Sequence, residues 1–512
     1  MDVLLLLGQG FAVALEPLNI FLAFVGVLLG TVIGMLPGIG PINAIAILIP
    51  ITFSLGLPVT SAMIMFAGIY YGSMYGNSIS SILLNVPGTA ASVVTTLDGF
   101  PMAQQGRAGP ALAMSAIASF FGGTLSIFAL IFFAPLLARW AIDFGPAEYF
   151  VLMIFAFSTL SSLTGKNIFK ALVSAALGLI LATVGLDPQG TTTRFSYGQL
   201  RLYDGMDFVV VAIGLFAISE VLQALVEGGD EGEVQTSLGR VFISGKEFMS
   251  SLGTMIRSSI SGFLIGVLPG AGATIASFIA YTTEKQIVDH DDQFGKGDIR
   301  GVAAPEAANN AASVGAFIPM LTLGVPGSGT TAVILAALLS FGVTPGPLLI
   351  QNNPEIFWSL AASMYIGNIM LLVLNLPLVG LFVRILLVPR WVLMPLVVTL
   401  SFVGVYAVNN SAFDLALMTG FGFVGLIMRK MGFPLAPVIL GLVLGELMEV
   451  NLRRALVYSR GDYRVFFESP ITIGLWVLTV LGLVVPIIIR WMAKRKRRAK
   501  QGAAELLEGE GE

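Results

Sequence analysis

Long apolar segments recur along the whole chain and constrain its fold more than any other feature. Examples lie at 20–36, 125–137, 209–218, 370–383 and 471–489. A bilayer core about 30 Å thick is crossed by about 20 apolar residues in an α-helix. Several segments approach that length, alone or with their flanks. We therefore expect roughly twelve hydrophobic passes, some of them broken by Gly and Pro into broken or re-entrant helices.

The composition supports this interpretation. Apolar residues make up 56% of the 512 residues and charged residues only 11%, whereas average soluble domains carry about 25% charged residues. So few charges cannot cover the water-exposed surface of a soluble chain of this length. The alternating segments of about ten residues that are typical of membrane β-barrels are also absent. The sequence predicts an all-α polytopic membrane protein.

The distribution of charge indicates an orientation. Basic residues crowd together directly after the last apolar segment: Arg490, Lys494, Arg495, Lys496, Arg497, Arg498 and Lys500. Positive residues that flank a span stay on the cytoplasmic side, so we expect a cytoplasmic C-terminus. Binding of the same basic cluster to anionic lipid is the alternative, and it is compatible with this orientation. The tail 494–512 is basic and then acidic.

Two motifs occur twice in the same order. The segment Gly30–Gly40 matches Gly262–Gly272 at seven of eleven positions, and Asn85–Ala90 is matched more loosely by Gly324–Gly329. Both motifs contain Pro-Gly. We predict two structural repeats, a first membrane repeat at 1–226 and a second at 251–493, with a polar linker at 227–250. We give less weight to the equal spacing, 40 positions in each half, of Pro37 from Asn77 and of Pro269 from Asn309.

Pro-Gly pairs inside apolar segments predict broken helices. Pro removes a backbone donor and Gly lets the chain turn, and the freed backbone groups cannot face lipid. They must therefore line a cavity or meet a ligand. Matched breaks in two halves of a membrane chain are typical of the binding site of a secondary transporter. The alternative is that the glycines serve only as surfaces for helix packing.

Polar clusters at 70–81 and 305–313 precede the second break of each half. Their small hydroxyl and amide side chains could replace the hydration shell of a carboxylate. Hydrogen bonding between helices is the alternative role. The candidate substrate-binding residues are Gly38, Asn77, Ser80, Pro87, Gly88, Thr89, Gly270, Asn309, Asn310, Pro326, Gly327 and Ser328.

Glu306 is the one full charge within these clusters. An ionisable group at membrane depth is a candidate for proton or ion coupling. Alternatively, it lies at the membrane interface as a charge at the start of a helix. A possible sodium site lies near Gly40, Asn43, Gly272 and Thr274, where carbonyls of broken helices could hold a cation. The sequence contains no P-loop, HExxH or GxSxG motif, so we predict neither enzymatic activity nor a cofactor.

The chain resembles the large membrane subunit of the tripartite tricarboxylate transporters, the TctA family, from about Gly26 to the last span. The matching motifs occur in order at Gly34–Pro41, Tyr71–Asn77, Asn85–Thr89, Asp98–Pro101, Gly266–Gly272, Ala304–Asn310 and Leu323–Ser328.

The resemblance implies a permease of the bacterial inner membrane. Such permeases act with a small four-helix membrane subunit and a periplasmic solute-binding protein, and no nucleic acid is expected as a partner. Transport is driven by a gradient of sodium or protons, and the cargo is a carboxylate such as citrate or a dicarboxylate. A channel, or a scaffold subunit without its own substrate site, is the alternative function.

Overall fold

A computed structural model describes residues 3–36, 40–163, 168–188, 190, 192–227, 238–270, 272–385, 390–481 and 484. Most of this region is helical, with one short antiparallel pair of strands, β1 (Gly185–Leu186) and β2 (Thr193–Arg194). The prediction of an all-α fold is confirmed. Gly38, residues 228–237 of the linker and the tail 494–512 lie outside the described residues.

The first half of the described chain contains ten α-helices. The helix α9 continues through a π-helical turn, Gly214–Ile218, directly into α10. The helices are α1 (Val3–Ala14), α2 (Pro17–Met35), α3 (Pro41–Ser54), α4 (Val59–Leu84), α5 (Thr96–Gln104), α6 (Ala108–Ala141), α7 (Pro146–Leu163), α8 (Ile168–Ala182), α9 (Phe208–Ile213) and α10 (Ser219–Glu227). Short 3₁₀ turns lie at Ala90–Ser92 and Leu200–Leu202.

The second half begins after the linker. Its described helices are α11 (Gly245–Val267), α12 (Gly272–Val288), α13 (Ile299–Gly315), α14 (Phe317–Leu323), α15 (Gly329–Ser340), α16 (Leu349–Asn352), α17 (Pro354–Asn375), α18 (Val379–Ile385), α19 (Arg390–Asn409), α20 (Ala412–Lys430), α21 (Ala436–Tyr458), α22 (Val465–Glu468) and α23 (Pro470–Leu481).

Five helical stretches among the described residues are long and apolar enough to cross a bilayer: Pro17–Met35, Ala108–Ala141, Phe208–Val226, Pro354–Asn375 and Ala412–Lys430. Shorter apolar helices, such as α3 and α15, accompany them. These lengths fit a multi-pass membrane protein. The number of passes and the repeat boundaries stay predictions.

The helices α2 and α4 pack backbone against backbone. Each carries three glycines one turn apart: Gly26, Gly30 and Gly34 on α2, and Gly68, Gly72 and Gly76 on α4. A Cβ added to Gly30 would lie 2.3 Å from the carbonyl oxygen of Ile69, and one on Gly72 would lie 2.4 Å from that of Val27. No side chain fits between the two backbones, as expected where small residues line a membrane helix interface.

The helices α11 and α13 repeat this contact in the second half. A Cβ on Gly262 would lie 2.5 Å from the carbonyl oxygen of Ala308. Gly262 occupies the place of Gly30 in the repeated motif, so Ala308 corresponds to Ile69. The next residue, Asn309, therefore corresponds to Tyr70. The equal spacing noted in the sequence, which would pair Asn309 with Asn77, does not describe the packing.

We predict that Gly30→Ala destabilises the protein by about 1–3 kcal/mol, because the new methyl group overlaps the backbone of α4. Gly420→Ala is the matched control: this glycine also lies inside a helix, but nothing lies within 4 Å of an added Cβ. Helix propensity alone favours that change by about 1 kcal/mol. Thermal unfolding of the detergent-solubilised protein compares the two, and equal midpoints would contradict the close packing.

Candidate functional site

A cavity of about 480 Å³ lies between the two halves of the chain. It is bounded by the beginnings of α3, α12 and α15, by one face of α4, by the turn after Gly88 and by the end of α20. Most of the lining is backbone or small side chains, as expected where broken helices meet. Residues at or close after the predicted breaks, namely Gly40, Gly88, Gly270 and Ser328, therefore border one shared space.

The helix α15 begins at this cavity with a capping box. Ser328 Oγ accepts a hydrogen bond from the Thr331 backbone N–H at 3.2 Å, and Thr331 Oγ1 accepts one from the Ser328 N–H at 2.8 Å. The box satisfies those two donors. Gly329 and Thr330, in the first turn, line the cavity, and N–H groups of a first turn have no partner within their own helix. They are available to a ligand.

Two further helices begin at the same cavity. Gly40 is the N-cap of α3, and α12 begins at Gly272, whose φ of +61° favours glycine. Both glycines line the cavity, as do Asn43 and Thr274. Each helix N-terminus carries about half a positive charge. Three such ends directed at one cavity favour an anion over a cation.

Arg429 brings a guanidinium group, paired with Glu220, to the cavity. It lies in the last turn of α20, and its side chain is 25% exposed. Its Nη1 lies 2.5 Å from Glu220 Oε2, and its Nε donates to Ser219 Oγ at 3.0 Å. No Asp or Glu occurs among the described lining residues. Sequence patterns do not single out Arg429, because a basic residue at the end of an apolar helix is typical of the membrane interface.

The predicted residues fall into two groups relative to the cavity. Gly88, Thr89, Gly270 and Ser328, together with the sodium candidates Gly40, Asn43, Gly272 and Thr274, line it. Asn77, Ser80, Pro87, Asn309, Asn310, Pro326 and Gly327 are not among the described lining residues.

Asn77 and Ser80 hold the turn that presents Thr89. Asn77 Nδ2 donates to Thr89 Oγ1 at 2.8 Å. A Cβ on Gly88 would lie 2.0 Å from the carbonyl oxygen of Gly34 and 3.1 Å from Ser80 Oγ, so only glycine fits there. Pro87 directly precedes Gly88, and its ring fixes its own φ angle. These side chains position the cavity wall.

The two breaks of the second half are joined through the backbone. The Gly270 N–H donates to the Gly327 carbonyl oxygen at 3.0 Å, so this N–H is already used. Pro326 follows a turn that begins at Gly324 with a φ of +70°. Asn85 takes the same left-handed conformation in the first half, with a φ of 57°.

Glu306 lies inside α13, not at its start. The helix begins at Ile299, and the Glu306 side chain is fully buried. Its Oε1 accepts a hydrogen bond from Thr95 Oγ1 at 2.5 Å. The idea of a charge at a helix start on the membrane interface was therefore wrong. Asn309 and Asn310 are buried on the same helix, and Asn310 Nδ2 donates to the Glu306 carbonyl oxygen at 3.1 Å.

We predict that Ser328→Ala lowers the free energy of unfolding by about 1 kcal/mol, because it removes the N-cap of α15. Ser340→Ala at the other end of this helix is the control. Its hydroxyl only bonds back to Ala336, so we expect a change within about 0.5 kcal/mol. Thermal unfolding in detergent measures both, and equal losses would rule out a special role for the cap.

Comparison with known proteins agrees with this architecture. The family model described as the tripartite tricarboxylate transporter TctA family matches residues 20–440. An uncharacterized 52.8 kDa protein in the TAR-I ttuC' 3' region of Agrobacterium vitis is 44% identical over 497 residues, 97% of this chain and 99% of that protein. A second, in the TAR-II ttuC' 3' region of the same organism, is 45% identical over 237 residues, 46% of this chain and 97% of that protein. No solved structure matches. The chain belongs to the tripartite tricarboxylate transporter TctA family.

Proposed function

We propose that the chain is the ion-gradient-driven permease of a tripartite system, and that it imports tri- or dicarboxylates delivered by a periplasmic binding protein. One observation carries the proposal: three helix N-termini and Arg429 meet at one cavity, and the described lining has no acidic side chain. Helix N-termini that face a midplane cavity are the way in which transporters hold anionic substrate groups.

The cavity has the chemistry to hold a small carboxylate. Its volume of about 480 Å³ lies within the range of about 300–1,000 Å³ that is typical of small-molecule sites. The Arg429 guanidinium has five N–H donors, so it can bind a substrate carboxylate while it stays paired with Glu220. A second carboxylate of the same molecule can meet the first turn of α15, where Thr330 adds a hydroxyl group.

Membership of the family supports the cellular setting that we propose. Tripartite transporters contain partner subunits and a binding protein, here a small four-helix membrane subunit and a periplasmic protein. We place the chain in the bacterial inner membrane with its C-terminus in the cytoplasm. The coupling ion is sodium or the proton. The sodium candidates Gly40, Asn43, Gly272 and Thr274 line the same cavity at helix beginnings, whose positive ends favour the carboxylate over a cation.

We expect Arg429→Gln to raise the Kd of the carboxylate about 10- to 100-fold. A hydrogen bond to a charged group contributes about 1.5–3 kcal/mol, and every 1.4 kcal/mol is about tenfold. Isothermal titration of the purified chain with tri- and dicarboxylates measures the change. Arg139→Gln removes an exposed arginine outside the cavity and should leave the Kd unchanged.

Loss of Arg429 also leaves Glu220 without its arginine. The double variant Arg429→Gln with Glu220→Gln removes both charges and separates a charge imbalance from a loss of substrate contact. We expect the double variant to bind the carboxylate as weakly as the single one. Recovery of wild-type affinity in the double variant would mean that Arg429 does not contact the substrate.

Gradient dependence separates a transporter from a channel. Proteoliposomes that contain the chain, its small subunit and the binding protein should accumulate carboxylate above the outside concentration under an inward sodium or proton gradient. Collapse of the gradient by an ionophore should abolish accumulation. Uptake that only reaches equality across the membrane, whatever the gradient, would support the channel, and no uptake that depends on this chain would support the scaffold.

A further inference from the structure

A cluster of hydroxyl groups surrounds the carboxyl of Glu306 in the interior of the protein. Thr95 Oγ1 contacts Oε1 at 2.5 Å, and Ser119 Oγ contacts Oε2 at 3.4 Å. Ser115 also contacts the Glu306 carboxyl, and its hydroxyl donates to Ser78 Oγ at 2.6 Å. All five side chains are at most 2% exposed. They come from α4, α6, α13 and the turn before α5, so four separate parts of the chain enclose one acid.

The part of the chain that the structure describes provides no cationic partner for Glu306. Among the described residues, no Arg, Lys or His forms an ion pair with it. A buried ionised carboxylate without a compensating charge is costly, and such a group becomes neutral instead. Three neutral hydroxyls cannot replace full hydration. The geometry therefore favours a neutral carboxylic acid in this conformation.

The neighbouring elements contain other ionisable groups, but their surroundings differ. On α5, Asp98 accepts backbone N–H groups from Gly295, Gly297 and Asp298 and the Tyr281 hydroxyl. On α12, Glu284 is bound by Arg257 of α11 through two hydrogen bonds, at 2.8 and 2.6 Å. On α4, the Tyr75 hydroxyl donates to Asn368. Each of these two acids has strong donors that Glu306 lacks.

One polar face of α13 leads from Glu306 toward the substrate cavity. Asn309, Asn310 and Ser313 follow Glu306 at helical spacing and share its face. Both polar side-chain atoms of Asn309 are buried without a partner among the described residues. At the far end, Ser313 meets Tyr70, whose hydroxyl lies 3.2 Å from Ser328 Oγ at the cavity. The polar face of α13 therefore runs from Glu306 to a side chain that contacts the cavity wall.

We propose that Glu306 is the proton-binding site that couples carboxylate import to a proton gradient; this rests on the proposed function of the cavity. In the conformation open to the outside, a Glu306 oxygen accepts a proton from hydronium; one O–H bond of hydronium breaks, leaving water, and one O–H bond forms on Glu306. The neutral acid is then enclosed by the hydroxyl cluster as the protein changes conformation. On the cytoplasmic side that O–H bond breaks and the proton returns to water. One proton crosses per cycle, and no other reactant is needed.

Glu306→Gln tests this proposal, because glutamine has the shape of the neutral acid but cannot release a proton. A pH gradient of one unit supplies about 1.4 kcal/mol per proton, so the wild type should accumulate substrate about tenfold. The variant should accumulate none, with an inside-to-outside ratio of about one, while its carboxylate exchange between equal pH values stays within about twofold of the wild type. Accumulation driven by pH in the variant, or by sodium alone in the wild type, would overturn the proposal.

Infrared spectroscopy of the reconstituted chain gives a readout that needs no transport. At neutral pH the wild type should show the C=O band of a protonated carboxylic acid, and Glu306→Gln should lose it. Glu284→Gln is the control, because that acid is paired with Arg257 and should not contribute to the band. A band that survives in Glu306→Gln would refute the proton site. A band that disappears, without any carboxylate uptake in the wild type, would instead count against the function proposed for the cavity.

Discussion

Direct contact between helix backbones is the constraint on which the rest of this structure depends. In lipid, no hydrophobic force drives apolar helices together, so close association requires small residues. The glycines of α2 and α4 supply them in the first half, and Gly262 and Gly266 against α13 supply them in the second. These two packed pairs fix how the broken helices lie against each other, and so where the breaks meet.

The cavity follows from that contact. Gly34 of α2 touches Gly88 after α4, and Gly270 after α11 bonds Gly327 after α14. The end of α2 therefore meets the turn after α4, the ends of α11 and α14 meet in the second half, and the Tyr70–Ser328 contact joins the halves at the same place. Backbone groups that cannot face lipid are gathered in one polar space. The positive ends of three helices then give this space its preference for anions.

Charged side chains are few in the described interior, and most of them form ion pairs. Glu284 is held by Arg257, Asp414 by Arg201 and Arg429 by Glu220. Pairing limits the cost of placing charge away from water. Glu306 departs from this rule, because its described neighbours are hydroxyls. Such a group gains and loses charge more readily than a paired one, which is why its surroundings point to a coupling role.

The sequence alone determined the membrane class, the positions of the Pro-Gly breaks and the resemblance to the family, because apolar length, Pro and Gly act locally along the chain. It also singled out Gly88, Thr89, Gly270 and Ser328, which the structure brings to one cavity. Only the tertiary structure revealed Arg429 at that cavity and enclosed Glu306 beside Thr95, 211 positions away. It also showed that Asn309 occupies the position in the second half that Tyr70 occupies in the first. Such contacts depend on which helix faces approach each other, and no local spacing encodes them.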